Sequence, residues 1–203
     1  MLRLPPIIVC FLSCVVFQSQ AQTKVVGECA ITYDIHQIAS NGDTSLVGQK
    51  QIFIKGNSCK TILKTPAFTQ TLIFNTQQDS AIILKEIGLN KFLQYILYAS
   101  MQPVNLVASK KNGTISTILD YPCETITLSS ADGNAMEVTY TTVIIPTVTV
   151  YEQAFKEIPG LVMRYQLTTK EGNKILYNAN KIDLSPITLN VFEVNKSNYQ
   201  QIN

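Results

Sequence analysis

Residues 28–36 read Glu-Cys-Ala-Ile-Thr-Tyr-Asp-Ile-His, and the fold turns on how this stretch is read. Cys29, Ile31, Tyr33 and Ile35 share one parity, while Glu28, Ala30, Thr32, Asp34 and His36 share the other. Alternate residues of a strand point to opposite faces, so the pattern predicts a strand with one apolar side. The alternation returns in 136–142, where Met136, Val138 and Tyr140 stand against Glu137, Thr139 and Thr141. It returns again in 161–168, where Leu161, Met163, Tyr165 and Leu167 stand against Val162, Arg164, Gln166 and Thr168.

Weaker strands are expected at 49–55, 58–65, 68–75, 80–86, 91–98, 114–119, 123–130, 174–183 and 187–194. Turn steps separate them at Asn41-Gly42-Asp43, Lys55-Gly56-Asn57, Asn112-Gly113, Asp132-Gly133-Asn134 and Glu171-Gly172-Asn173. Short strands at close spacing with such turns predict a mainly β, antiparallel architecture. A short helix is expected over 150–158, where Tyr151, Phe155 and Ile158 fall on one helical face before Pro159-Gly160 stops it. Residues 90–101 read equally as strand or helix.

The chain has 203 residues, 46% hydrophobic and 15% charged, which is enough for one domain with a sizeable core. Sixteen basic residues against fourteen acidic ones give a net charge of +2, which excludes a strongly basic nucleic-acid binder. A single His excludes a multi-histidine metal site. Residues 1–21 read as a signal peptide: Arg3, an apolar run from Ile7 to Phe17, then Ser19-Gln20-Ala21 with small residues at the cleavage positions. Cleavage is expected after Ala21, leaving 22–203 as a single domain outside the cytoplasm. A lipidated Cys14 is disfavoured because Val15-Val16-Phe17 continue the apolar run beyond it. The cysteines that remain are Cys29, Cys59 and Cys123. In an oxidising compartment they allow one bridge, Cys59–Cys123 with Cys29 buried, or three buried thiols.

The C-terminal half carries a fixed order of short motifs. Gly113 to Cys123 (GTISTILDYPC) leads into Asp120-Tyr121-Pro122-Cys123-Glu124-Thr125. Glu157-Ile158-Pro159-Gly160-Leu161 follows, and then Phe192-Glu193-Val194-Asn195-Lys196-Ser197-Asn198-Tyr199. Over roughly 105–200 this resembles the GLPGLI family of secreted Bacteroidetes proteins, with Asp120, Glu157-Ile158 and Asn195 departing from its pattern. The resemblance implies a fold like that of the LolA/LolB lipoprotein carriers: a strongly curved, incomplete antiparallel β-barrel with helices over its mouth. It brings no catalytic residues with it.

Little in the chain reads as chemistry. His36 stands on the polar face of its strand, and no nucleophile-elbow pattern accompanies it. Cys123 lacks a partner base other than His36. No metal-ligand cluster and no phosphate loop is present, so neither cofactor nor metal is expected. Arg164 is the only arginine after residue 3 and is a candidate for holding a lipid headgroup. Leu72-Ile73-Phe74, Ile82-Ile83-Leu84, Ile96-Leu97 and Val143-Ile144-Ile145 are apolar on both faces. Strands of that kind are buried on both sides or line a cavity. The expected function is a non-catalytic, secreted or periplasmic binding module, monomeric, holding a lipid or lipoprotein acyl chain. Its candidate lining is Tyr33, Ile35, Phe74, Tyr140, Met163 and Tyr165. The rival is an interaction protein of the cell envelope with a filled core and a protein partner.

Overall fold

The computed structural model describes residues 22–98, 106–130, 135–148, 152–155, 158–168 and 173–202, with backbone alone at 106–114, 130, 135 and 153. The expected signal peptide, 1–21, lies outside the described residues. The strands of the first half are β1 (Lys24–Val26), β2 (Glu28–Ile38), β3 (Thr44–Lys55), β4 (Ser58–Lys64), β5 (Thr69–Asn75), β6 (Ser80–Ile87) and β7 (Asn90–Leu97). Those of the second are β8 (Leu106–Ile118), β9 (Tyr121–Ser130), β10 (Ala135–Thr141), β11 (Ile144–Pro146), β12 (Leu161–Thr168), β13 (Lys174–Asp183) and β14 (Gln200–Gln201).

Twelve strands form one sheet in the order β14-β7-β6-β5-β4-β3-β2-β13-β12-β10-β9-β8, and β1 pairs β11 in a separate parallel ribbon. Every pairing in the large sheet is antiparallel except β14 with β7. Open sheets beyond ~10 strands curl, and here register shifts supply local bends: at Ile35/His36, Ala179/Lys181, Thr139/Tyr140, Ala108/Lys110 and Lys111/Ile115. The result is a curved, open antiparallel sheet, the mainly β class that the sequence predicts.

Antiparallel partners share a face, so the register names the inner side directly. One row across it runs Cys29, Ile54, Cys59, Phe74, Ala81, Ile96. The next runs Ile31, Ile52, Thr61, Leu72, Ile83, Gln94, and the third Tyr33, Lys50, Leu63, Gln70, Lys85, Phe92. From the other half, Val138, Tyr140, Met163, Tyr165 and Ala179 join the same core cluster.

The outer face of β3 to β7 is strapped by the segment after β13. Lys55 Nζ donates to the Ile187 carbonyl at 2.7 Å, and Lys60 Nζ donates to the Val191 carbonyl at 2.6 Å. Glu28 accepts from the Ile187 amide at 2.6 Å, Lys196 Nζ donates to Tyr95 at 3.1 Å, and Tyr199 donates to Glu86. This strap overturns the strand expected at 187–194. Its backbone groups bond to side chains from the sheet rather than to a neighbouring strand, and Leu189–Phe192 is a single 3-10 turn.

Three further expectations change. Residues 90–97 resolve as strand β7. In the segment expected to be helical, Gln153–Phe155 forms a 3-10 turn, while 150, 151, 156 and 157 lie outside the described residues. Asn112-Gly113 is no hairpin turn: β8 runs through it, and the hairpin turns instead at Leu119-Asp120, both at positive φ (49° and 65°). Gly160, at the head of β12, is required by contact: a Cβ there would sit 2.1 Å from the Thr141 carbonyl oxygen. The steps at 132–134 and 171–172 lie outside the described residues.

Candidate functional site

The inner face is where the apolar candidates meet. Tyr33, Phe74, Tyr140, Met163 and Tyr165 belong to one buried cluster, and Ile35 is buried between Gly48 and Tyr177 on the flanking strands. Each buried phenol has a partner, as a polar atom in an apolar setting requires. Tyr33 donates to the Val162 carbonyl at 2.8 Å, Tyr140 donates to Glu124 at 3.1 Å, and Tyr165 accepts from Lys50 Nζ at 3.1 Å.

At the centre stands an aromatic group around Tyr165. Tyr177 stacks on it with centroids 4.3 Å apart, and Phe155 meets it edge-on at 4.8 Å. Such pairs contribute about 0.5–1.5 kcal/mol each beyond their buried area. Lys50, buried to 7% exposure, lies 5.5 Å and 5.6 Å from the Tyr165 and Tyr177 ring centres. Its ammonium pairs with Glu152 at 2.6 Å. Burial, reinforced by the Glu152 charge, pushes the Tyr177 phenol above its ordinary pKa. Glu152, Phe155 and Ile158 come from the segment between β11 and β12; Phe155 and Ile158 are buried in the core cluster, and Lys50 ties this segment to β3.

Burial falls off across this face. The first row is closed as far as β6, with Cys29, Ile54, Cys59 and Ala81 at 0% exposure, and ends at the half-buried Ile96 on β7. In the next two rows, Thr61 and Leu63 on β4, Leu72 on β5, Ile83 on β6 and Phe92 on β7 are only half-buried. Lys85 stands exposed at their edge, 5.4 Å from the Phe68 ring centre. The inner face therefore joins a sealed floor to a half-buried shelf, where Leu63, Leu72, Ile83 and Phe92 stand among Thr61, Gln70, Gln94 and Lys85.

Arg164 is not part of this face. It alternates with Met163 and Tyr165 and lies on the outer side, where its Nε donates to Asn178 Oδ1 at 2.9 Å. A headgroup role beside the six apolar candidates would require it to reach through the sheet. His36 also stands on the outer side, with Leu46 and Leu176 as cross-strand neighbours.

The cysteines are free thiols, which corrects the expected Cys59–Cys123 bridge. Cys59 faces Ile54 and Phe74 across β3 and β5, while Cys123 on β9 faces Ser116, with β3, β2, β13, β12 and β10 between the two strands. Burial pushes the Cys29 and Cys59 thiols up to about 12 and raises that of Cys123. A thiol so shifted is a poor nucleophile at neutral pH. Among the described residues no three His, Cys, Asp or Glu side chains gather in a way that would hold a metal ion.

Sequence reasoning missed Lys50, Glu152 and Tyr177. Lys50 carried a signal, since it shares the parity of Ile52 and Ile54 on a face otherwise apolar. Glu152 carried none, because 102 residues separate it from Lys50.

No family model matches the chain, and no curated protein matches it. Solved structures do. An uncharacterized conserved protein from Thermus thermophilus is similar over 85% of this chain and 89% of its own, at 7% identity and a TM-score of 0.50. A LolA superfamily protein from Nitrosomonas europaea is similar over 82% of this chain and 90% of its own, at 9% identity and a TM-score of 0.37. The first likeness is one of fold alone, and the second is too distant to carry an argument about function.

Proposed function

We propose that the protein is a non-catalytic binding module that holds an apolar chain, of a fatty acid, lipid or lipoprotein, against the inner face of its curved sheet. The carrying observation is the fall in burial from the sealed first row to the half-buried shelf of Leu63, Leu72, Ile83 and Phe92. A core that closed on itself would bury those side chains, at a gain of about 25 cal/mol per Å2. Here an alkyl chain supplies the missing cover. Lys85 at the edge offers a charge to an acidic headgroup, while Glu152 and Phe155 pack on Lys50 and Tyr165 away from that edge. Tyr33, Ile35, Phe74, Tyr140, Met163 and Tyr165 form the buried floor beside the shelf.

A second reading has its own support. All six of those residues are at most 3% exposed, so the floor itself is packed, as in an interaction protein of the envelope that binds a protein partner by its surface. For either reading we propose export with cleavage after Ala21, on the strength of the apolar run and Ser19-Gln20-Ala21, and a monomeric state.

The deciding experiment is native mass spectrometry of 22–203 with a fluorescent fatty-acid uptake assay. The carrier reading expects a co-purifying lipid or saturable uptake, reduced at least tenfold in Leu72→Glu and Ile83→Glu. An apo mass together with no uptake by the wild type would pass the case to the interaction protein.

A further inference from the structure

The outer face of the second half of the sheet contains a hollow of about 440 Å3, separate from the inner shelf. Ser116 from β8, Thr125 from β9, Glu137 and Thr139 from β10, and Arg164 and Gln166 from β12 line it. Two irregularities shape it. The register of β8 on β9 jumps from Lys111↔Ile126 to Ile115↔Glu124, so three residues of β8 face Thr125 alone. The register of β10 on β12 jumps between Thr139↔Arg164 and Tyr140↔Val162, leaving Met163 as the extra residue next to Arg164. Bulges re-aim side chains and break the flat surface of a sheet, and here both fall where the hollow opens.

We infer that this hollow is a binding site for a small sugar carboxylate, with Arg164 as its anchor. Asn178 takes the Nε–H of Arg164 at 2.9 Å, which fixes the plane of the guanidinium. Its two terminal amino groups make no hydrogen bond among the described residues and remain for a ligand. Paired N–H groups in one plane match the two oxygens of a carboxylate. The hydroxyls of Thr125 and Thr139 are bonded to one another at 3.0 Å, so their positions are set before a ligand arrives. With Ser116 and Gln166 they form a ring of groups that both donate and accept, which suits a ligand rich in hydroxyls.

The test is a titration of 15N-labelled protein with D-glucuronate and D-glucose, read by NMR. Glucuronate is expected to shift the Arg164 Nε–Hε signal and the Thr125 and Thr139 amides saturably. Glucose should bind at least tenfold more weakly. Arg164→Gln, at an exposed position and with a retained spectrum, should abolish the glucuronate response. Equal binding of glucose and glucuronate, an unchanged titration in R164Q, or no saturable shift with either sugar overturns the proposal. Uptake of an apolar probe on the inner face is independent of all these outcomes.

Discussion

Lys50 is the residue on which local energetics are most concentrated. A buried charge is tolerated only when it is paired, and its partners here are Glu152 and the Tyr165 hydroxyl. Glu152→Gln leaves the ammonium buried with a neutral partner, and we expect a loss of about 2–3 kcal/mol, below the full buried-pair value because Glu152 is about a third exposed. The double variant Lys50→Met with Glu152→Gln should recover most of it. Urea unfolding of the three proteins checks this, and equal losses in single and double variants would show that the pair itself stabilises. The thiols give a second residue-scale prediction. With burial holding Cys29, Cys59 and Cys123 in the neutral form, Ellman's reagent should find no reactive thiol in folded 22–203 and three after denaturation. A count of one after denaturation without reductant would restore a disulfide.

Among the elements, the β8–β9 hairpin carries a visible strain. Its tight turn needs positive φ at both central positions, and it places Leu119 and Asp120 there. A left-handed leucine costs roughly 1–2 kcal/mol. Leu119→Gly removes that strain and only a partly exposed side chain, so we expect stabilisation by about 1 kcal/mol, or a Tm rise of about 2–4 °C. An unchanged or lower Tm would mean that the contacts of Leu119 outweigh its backbone cost. The strap after β13 adds a pH dependence. The hydrogen bond from Tyr199, helped by Lys91, holds the Glu86 carboxyl below its usual range. Its contribution is present above the unfolded carboxylate pKa and is lost as pH falls through the lowered folded value. Burial, then Glu86, pushes the Tyr199 phenol up to about 12, so its contribution is complete below pH ~10 and lost toward pH ~12. Protection of the strap amides, taken relative to the intrinsic exchange rate at each pH, should accordingly fall at both extremes and be greatest between them. Protection that is flat across both windows would detach the strap from this pair.

At the scale of the whole molecule, the sheet was legible wherever alternation was clean. The boundaries of 161–168 and 174–183 coincide with β12 and β13, and β2 extends two residues beyond its sequence reading. Local pattern misled where tertiary bonds replaced local ones. The apolar alternation of 187–194 is real, but lysines from the sheet take the carbonyls that a neighbouring strand would need. Of the candidate site, alternation placed Tyr33, Ile35, Met163 and Tyr165 on the apolar sides of their strands, where the structure buries them. The shelf depends on where cover stops, and the Lys50–Glu152 pair on a contact across 102 residues, neither of which a linear pattern contains. Arg164 is the only arginine after residue 3, and strand parity assigns it to the face opposite Tyr165.

The pairing of β14 on β7 has a consequence for how copies of this protein behave toward one another. Gln200 and Gln201 lie beside Phe92 and Leu93, and the Ile202 amide donates to the Leu93 carbonyl at 2.8 Å. The chain thereby occupies, with its own tail, the open rim that another molecule's strand would otherwise claim. Removing 199–203 uncovers the backbone of β7 around Phe92 and Leu93, and the shortened protein should associate side by side more readily than the full one. Size-exclusion chromatography at increasing concentration would reveal it. A fusion partner or affinity tag is accordingly better placed where it leaves this pairing undisturbed.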